Sequence, residues 1–256
     1  MNQSPAILLD HLGRDYGSFT AVHDLDLQVR PGEIFAFLGA NGAGKTTTMK
    51  MMVGLLPPTR GRVVIGGYDV WKEPRQAKRA IGYVPDTPIL HELLTAREFL
   101  WFMADLYNMP RAEGQARTAE LLEMLGLKEA SDRLIRDFSL GMKRKMAIAT
   151  ALLHRPRVLL LDEVTNGLDA RAAREVKDLV TRWAAEGVAV LLTTHILHTA
   201  EELASRIGLI HKGRLICVGT KDELAELAGK PEANLEEIFL TLTGDAVPAE
   251  MEEEPA

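Results

Sequence analysis

The residues whose types and spacing most clearly suit chemistry are Gly39-Ala40-Asn41-Gly42-Ala43-Gly44-Lys45-Thr46. Glycines at these intervals let a backbone curl until successive amide hydrogens face one anion. The order fits the glycine-rich phosphate loop, which sits between a strand and a helix. The helix that follows adds its first-turn amides and the positive end of its dipole. Lys45 offers a mobile charge to the outer phosphates, and the Thr46 hydroxyl is the expected magnesium ligand. Thr47 is grouped with the loop as a further contact.

A second group is Leu159-Leu160-Leu161-Asp162-Glu163, an apolar run that ends in two acids. Such a run places its acids at the open tip of a sheet, where sites of this class lie. Asp162 is then a direct or indirect holder of magnesium, and Glu163 a candidate general base for water. An apolar strand ending in acids without further purpose has the same appearance. His195 follows another apolar strand, Val190 to Thr193, and an imidazole there suits a terminal phosphate or a water; a plain surface histidine fits the spacing too. His198, three residues on, lacks the partner ligands of a metal pair.

These groups need a framework that brings strand ends together. Ile34 to Leu38 is continuously apolar, as expected of a strand covered on both faces, and Lys45 to Met52 reads as the helix after the loop. Shorter β-like pieces stand at Ala6–Leu9, Leu25–Val29 and Gly61–Ile65. From Thr87 to Arg155 strand signals vanish, and helical runs take over at 95–107, 112–125 and 142–153. Strands return at Val158–Leu161, Val188–Thr193 and Ile207–Ile210, with a helix over 171–186. A hairpin at Lys212-Gly213 leads to a strand at 215–218 and to short helices near 221–228 and 235–242. The pattern is α/β: a P-loop nucleoside triphosphatase core with an inserted helical subdomain and an N-terminal antiparallel β portion. The core lobe is assigned to 1–86 and 156–220, the helical subdomain to 87–155 and a C-terminal helical extension to 221–244. Residues 245–256, PAEMEEEPA at their end, read as an acidic disordered tail.

Composition narrows the function classes. The 256 residues carry 30 Lys+Arg against 36 Asp+Glu, a formal net charge of −6. That balance is a poor electrostatic case for a protein that wraps nucleic acid. One cysteine, Cys217, excludes an intramolecular disulfide and a multi-cysteine zinc site, and reads as a small buried hydrophobe. Apolar runs such as Val188 to Leu192 are far shorter than the ~20 residues of a spanning helix. The N-terminus has no basic stretch followed by an apolar one, so no signal peptide is expected. The arithmetic points to a soluble, intracellular chain without a membrane segment of its own.

Taken in order, the motifs resemble the ATP-binding subunit of an ABC-type transporter, from about Ile7 to Gly244. Gly39 to Thr46 matches the phosphate loop, Ser139-Leu140-Gly141-Met142 looks like the family signature, and Leu159 to Glu163 looks like the acidic strand. Leu168-Asp169 looks like the end of the loop that follows, and His195 like the switch histidine. Tyr16 sits where the family stacks an aromatic on adenine. The resemblance implies ATP and Mg2+ as ligands, and Glu163, His195 and Lys45 as the catalytic group. It implies a head-to-tail homodimer in which Ser139, Gly141 and Asp169 close over the nucleotide held by the other copy. Ser139 at a helix start makes physical sense as an anion-binding end, although an ordinary helix cap reads alike.

Three departures stand out. Leu140 and Met142 replace the first glycine and the glutamine of the usual signature, and Asn166-Gly167-Leu168-Asp169 replaces serine-alanine-leucine-aspartate. Asp86, after Ile81-Gly82-Tyr83-Val84-Pro85, stands where most members carry glutamine. An aspartate there accepts hydrogen bonds and ligates magnesium, yet cannot donate and is one methylene shorter. These variants look most like subunits of two-component exporters. The implied partner is a separate multispan membrane protein docking near 86–107, at the cytoplasmic face of the membrane, with no nucleic acid and no direct lipid insertion. In the helix over 95–107, Phe99, Phe102, Met103 and Leu106 share one face, which plain lobe packing also explains. The alternative class is a soluble ATPase of the same superfamily acting on ribosomes or DNA, or a regulatory module. Loss of Lys45 or Glu163 would mark a spent module, and both are present.

Overall fold

The computed structural model describes residues 4–244. The chain opens with a long hairpin, β1 (Ile7–Tyr16) and β2 (Phe19–Val29). β3 (Ile34–Leu38), the phosphate loop and α1 (Lys45–Met52) follow, then β4 (Arg60–Ile65), β5 (Tyr68–Asp69), α2 (Pro74–Ala80) and β6 (Ile81–Val84). Three helices come next: α3 (Ala96–Leu106), α4 (Arg111–Met124) and α5 (Leu140–Leu152). The second half runs β7 (Val158–Asp162), α6 (Ala170–Ala185), β8 (Ala189–Thr194), α7 (Leu197–Leu203), β9 (Arg206–His211), β10 (Arg214–Gly219), α8 (Lys221–Leu227) and α9 (Leu235–Thr243).

These strands form two sheets. One is antiparallel, in the order β2-β1-β4-β5. The other runs β10-β9-β3-β8-β7-β6, parallel except for the edge strand β10. Parallel alignment puts the carboxyl ends of β3, β6, β7 and β8 on one edge. Every residue of β3 and β7 is buried, because both faces of that sheet are covered. Alternate residues serve different cores. Ala36, Leu159, Leu161 and Leu192 join the core shared with α3–α9. Phe35, Phe37, Leu160 and Leu191 point the other way, into the core made with the antiparallel sheet, α1 and α2.

The first hairpin is longer than the alternation in the sequence suggests. Register shifts interrupt the β1–β2 ladder between Leu9 and Leu12 and again near Arg14, and His11 and Asp24 have φ of 48° and 32°. Each bulge flips the two-residue period, so the strand continues while its hydrophobic pattern does not. Four elements escape the sequence reading: α2, β5, β6 and α7. β6 is four residues with a glycine inside, and tertiary packing defines it. A Cβ on Gly82 would meet the Ala151 carbonyl oxygen at 2.4 Å and Leu159 Cδ2 at 2.7 Å.

The face of α3 also differs from the expected one. Its buried residues are Ala96, Phe99, Leu100 and Ala104, while Phe102 and Leu106 are 41% and 59% exposed. Small residues decide this: α4 approaches closely at Gly114, where a Cβ would lie 2.9 Å from Ala104 Cβ. The helix turns Ala104 toward α4, buries Phe99 and Leu100, and leaves Phe102 and Leu106 outside. Cys217 is half-buried on β10, and burial pushes its thiol up to about 11, the behaviour of an inert packed cysteine. Among the described residues no helix is long and apolar enough to cross a membrane. The acidic tail assigned to 245–256 lies outside the described residues.

Candidate functional site

The phosphate loop leaves β3 at the shared carboxyl edge and ends in α1. Gly42 and Gly44 have φ of 78° and 109°, a region that glycine enters without strain. Gly39 is fixed by contact, since a Cβ there would lie 2.4 Å from the Ile210 carbonyl oxygen. No side chain caps α1 at Gly44, so its first-turn amides face the loop. Lys45 is buried, and its Nζ donates to the carbonyls of Gly39 at 2.6 Å and Ala40 at 3.3 Å. The loop's own backbone thus aims the ammonium. Thr46 is exposed at the loop's end and Thr47 half-buried beside it.

Opposite stands the end of β7. Asp162 is 2% exposed and accepts from the Thr193 hydroxyl of β8 at 2.5 Å. Burial raises its carboxyl above the usual range, and the Thr193 hydrogen bond works against that rise. Glu163, the next residue, has φ of 49°, uncommon for a residue with a Cβ. Its amide donates to the carbonyl of Thr193 at 3.2 Å, which holds the turn. The turn aims one carboxylate oxygen at His195 Nδ1, 2.9 Å away, and the other at Lys45 Nζ, 3.5 Å away. Burial pushes the Glu163 carboxyl up, but the His195 hydrogen bond and the Lys45 charge outweigh it and hold it low. Glu163 is therefore an ionised carboxylate set between the Lys45 ammonium and the His195 ring.

The cleft between these elements has a volume of about 410 Å³, in the range of small-molecule sites. Asp86 reaches it from the end of β6, and Tyr16 from the tip of the first hairpin. The sequence reading missed three further lining residues, Phe19, Ala21 and Asn166. Phe19 pairs with Tyr16 across the Gly17–Ser18 turn, so an aromatic on either side of a two-residue turn was the available signal. Asn166 carried no signal beyond its place after the acidic strand. Arg14 lies over the Tyr16 ring, 4.8 Å from its centroid, and steadies an exposed aromatic.

The remaining predicted residues gather elsewhere. Ser139, Gly141 and Asp169 line a separate concavity of about 510 Å³ that shares no lining residue with the first. Ser139 caps α5, accepting from the Met142 amide at 3.3 Å, and Asp169 caps α6, accepting from the Ala172 amide at 2.7 Å. Leu140, which replaces the usual glycine, is 49% exposed between them. The predicted site residues are thus divided between two separate concavities.

The donor set of the first cleft fits ATP with magnesium. The Thr46 hydroxyl and the Asp86 carboxylate line the cleft, while Asp162 is buried at the end of β7 and is not among its lining residues; all three are hard oxygen donors suited to that ion. The glycine loop and Lys45 suit phosphates, and Tyr16 with Phe19 supplies faces for a base.

Comparisons with known proteins agree. Residues 22–166 match the family described as ABC transporter. The chain is 39% identical over 220 residues to the linearmycin resistance ATP-binding protein LnrL of Bacillus subtilis, covering 86% of this chain and 71% of that one. It is 39% identical over 214 residues to the bacitracin transport ATP-binding protein BcrA of Bacillus licheniformis, covering 83% and 69%. A solved structure of an ATP-binding subunit of an ABC transporter superposes with a TM-score of 0.87 at 35% identity, over 93% of this chain and 99% of that one. The chain belongs to the ABC transporter family, as an ATP-binding and ATP-hydrolysing subunit of an exporter-type transporter that energises a separate membrane component.

Proposed function

We propose that two copies of this chain pair head to tail and hydrolyse ATP at the two clefts so formed. The observation that carries this reading is the division of the predicted residues between two concavities with no shared lining. In each cleft Tyr16, with Phe19, holds the base, and Gly39 to Thr47 cradle the phosphates. Lys45 is swung from the Gly39 carbonyl or Glu163 toward the outer phosphates. Thr46, Asp162 and Asp86 hold magnesium, which supplies charge neutralisation at the transferred phosphoryl group. Glu163, already ionised, takes a proton from water, and His195 orients the carboxylate and faces the terminal phosphate. Ser139, the Gly141 amide at the start of α5, and Asp169 close the cleft from the other copy.

Residues 1–244 form the ATP-binding domain on this reading, with 87–155 as the subdomain facing the membrane protein. That partner is a multispan transporter received near 86–107, which holds the chain at the cytoplasmic face of the membrane. The relatives' roles, resistance to linearmycin and transport of bacitracin, support outward movement of the cargo. The test is Glu163→Gln, which keeps the side chain's size and removes the base. With excess ATP the purified variant should elute as a dimer with turnover reduced about a thousandfold or more, in line with loss of general-base catalysis. A variant that stays monomeric in ATP would overturn the paired-site reading.

A further inference from the structure

Arg144, in α5, is 2% exposed, and among the described residues no carboxylate lies within ion-pairing distance of it. Its guanidinium is spent on backbone. Nη1 donates to the Pro85 carbonyl at 3.0 Å and to the Asp86 carbonyl, and Nη2 donates to the Asn166 carbonyl at 3.4 Å. Nε is buried without a partner. A buried guanidinium whose hydrogen bonds all go to carbonyls is costly; burial lowers its basicity, and the charges of Asp86 and Asp162, too far to pair with it, offset that only in part. The planar fork is the one side chain that reaches carbonyls of two different loops at once.

The two loops matter because each lines the first cleft, one through Asp86 and the other through Asn166. The second loop continues to Asp169 in the other concavity. Arg144 itself stands five residues beyond Ser139, on the same rigid helix. A shift of α5 therefore pulls the Asp86 backbone and the Asn166 backbone together.

We propose that Arg144 is a positioning residue that locks the partner-facing end of α5 to the two loops lining the chain's own cleft. Closure over the other copy's nucleotide and placement of Asp86 then occur as one movement. This inference rests on the paired-site reading.

The test uses the Glu163→Gln protein with and without Arg144→Met or Arg144→Lys. Single-site ATP binding, measured at protein concentrations too low for pairing, should stay within about twofold, because the Lys45 loop is untouched. The ATP concentration for half-maximal dimer should rise about tenfold in Arg144→Met, the scale of losing hydrogen bonds to a charged group. Arg144→Lys keeps the charge but not the fork and should fall between. An unchanged dimer midpoint in both variants would overturn the inference, as would equal loss of single-site binding and pairing. If Arg144→Met does not fold, Arg144→Lys decides alone: its midpoint must shift while its melting temperature stays at the parent's. A Glu163→Gln parent that never pairs would remove the paired-site reading first and this inference with it.

Discussion

At the scale of single residues, Glu163 shows how a site is made from a constrained backbone. Its φ of 49° is maintained because its amide bonds to Thr193, and that turn places one carboxylate between a histidine and a lysine. Held low, the carboxyl is ionised across the neutral range, so the pH–rate profile should show no loss of the base until the pH has fallen below the ordinary glutamate range. Asp86 is the other informative position. It is exposed in the cleft while its backbone is gripped from α5. Asp86→Ala should lower turnover and raise the magnesium needed for half-maximal rate, each by about tenfold, as for loss of a supporting metal contact. Steady-state assays over a magnesium series check this; wild-type parameters in the variant would remove Asp86 from the metal's surroundings. The types and spacing of Lys45, Asp162 and Glu163 were legible in the chain, because each motif is contiguous. Arg144 was not, because its partners are distant in sequence, whereas Phe19 left only a local trace, an aromatic across a two-residue turn from Tyr16.

At the scale of elements, strand order does the positioning. β3, β6, β7 and β8 run parallel, so four loops from separate parts of the chain open on one edge. α3 is tied to the opposite, amino edge of the sheet through a stacked pair: the Tyr107 and His154 rings are 4.0 Å apart at 11°, and His154 Nε2 bonds the Ile81 carbonyl at the start of β6. Burial holds the His154 imidazole below the ordinary histidine range, against the opposing pull of the Ile81 bond. Above about pH 6.5 both folded and unfolded states are neutral there and nothing is lost. Below it the unfolded chain takes up a proton that the folded chain resists, so stability falls as pH drops. The limiting slope from this one group is about 1.4 kcal/mol per pH unit. His154→Gln keeps a donor for Ile81 and cannot titrate, so its melting temperature should fall less steeply between pH 7 and pH 5.5. Equal slopes would assign the acid sensitivity elsewhere. The short elements α2, β6 and α7 show why element-level reading stops: seven or four residues carry too little periodicity, and neighbours decide their conformation.

At the scale of the whole molecule, the segment assigned to the membrane partner carries the two most exposed large hydrophobic side chains among the described residues. Ile89 and Leu93 are 88% and 77% exposed, and Phe102 and Leu106 on α3 extend the apolar surface. Exposed apolar side chains concentrated on one segment mark an interaction site. Phe102→Glu combined with Leu106→Glu should leave ATP-driven pairing and melting temperature unchanged while abolishing recovery of the chain with membranes of the expressing cell. Retained membrane recovery would move the docking site away from α3.

The sequence by itself determined the chemistry and the fold class. A phosphate loop needs only contiguous glycines, a lysine and a threonine, and covered strands announce themselves as continuous apolar runs. It also carried no apolar run long enough to cross a membrane as a helix, and among the described residues none appears. Only the tertiary structure decided which side of α3 is buried, since Gly114 and Ala104 set how closely α4 approaches. Only it decided that Ser139, Gly141 and Asp169 stand apart from Lys45 in a concavity of their own. Motif spacing encodes local geometry, whereas packing depends on contacts between residues far apart in the chain, and those contacts leave no local pattern to read.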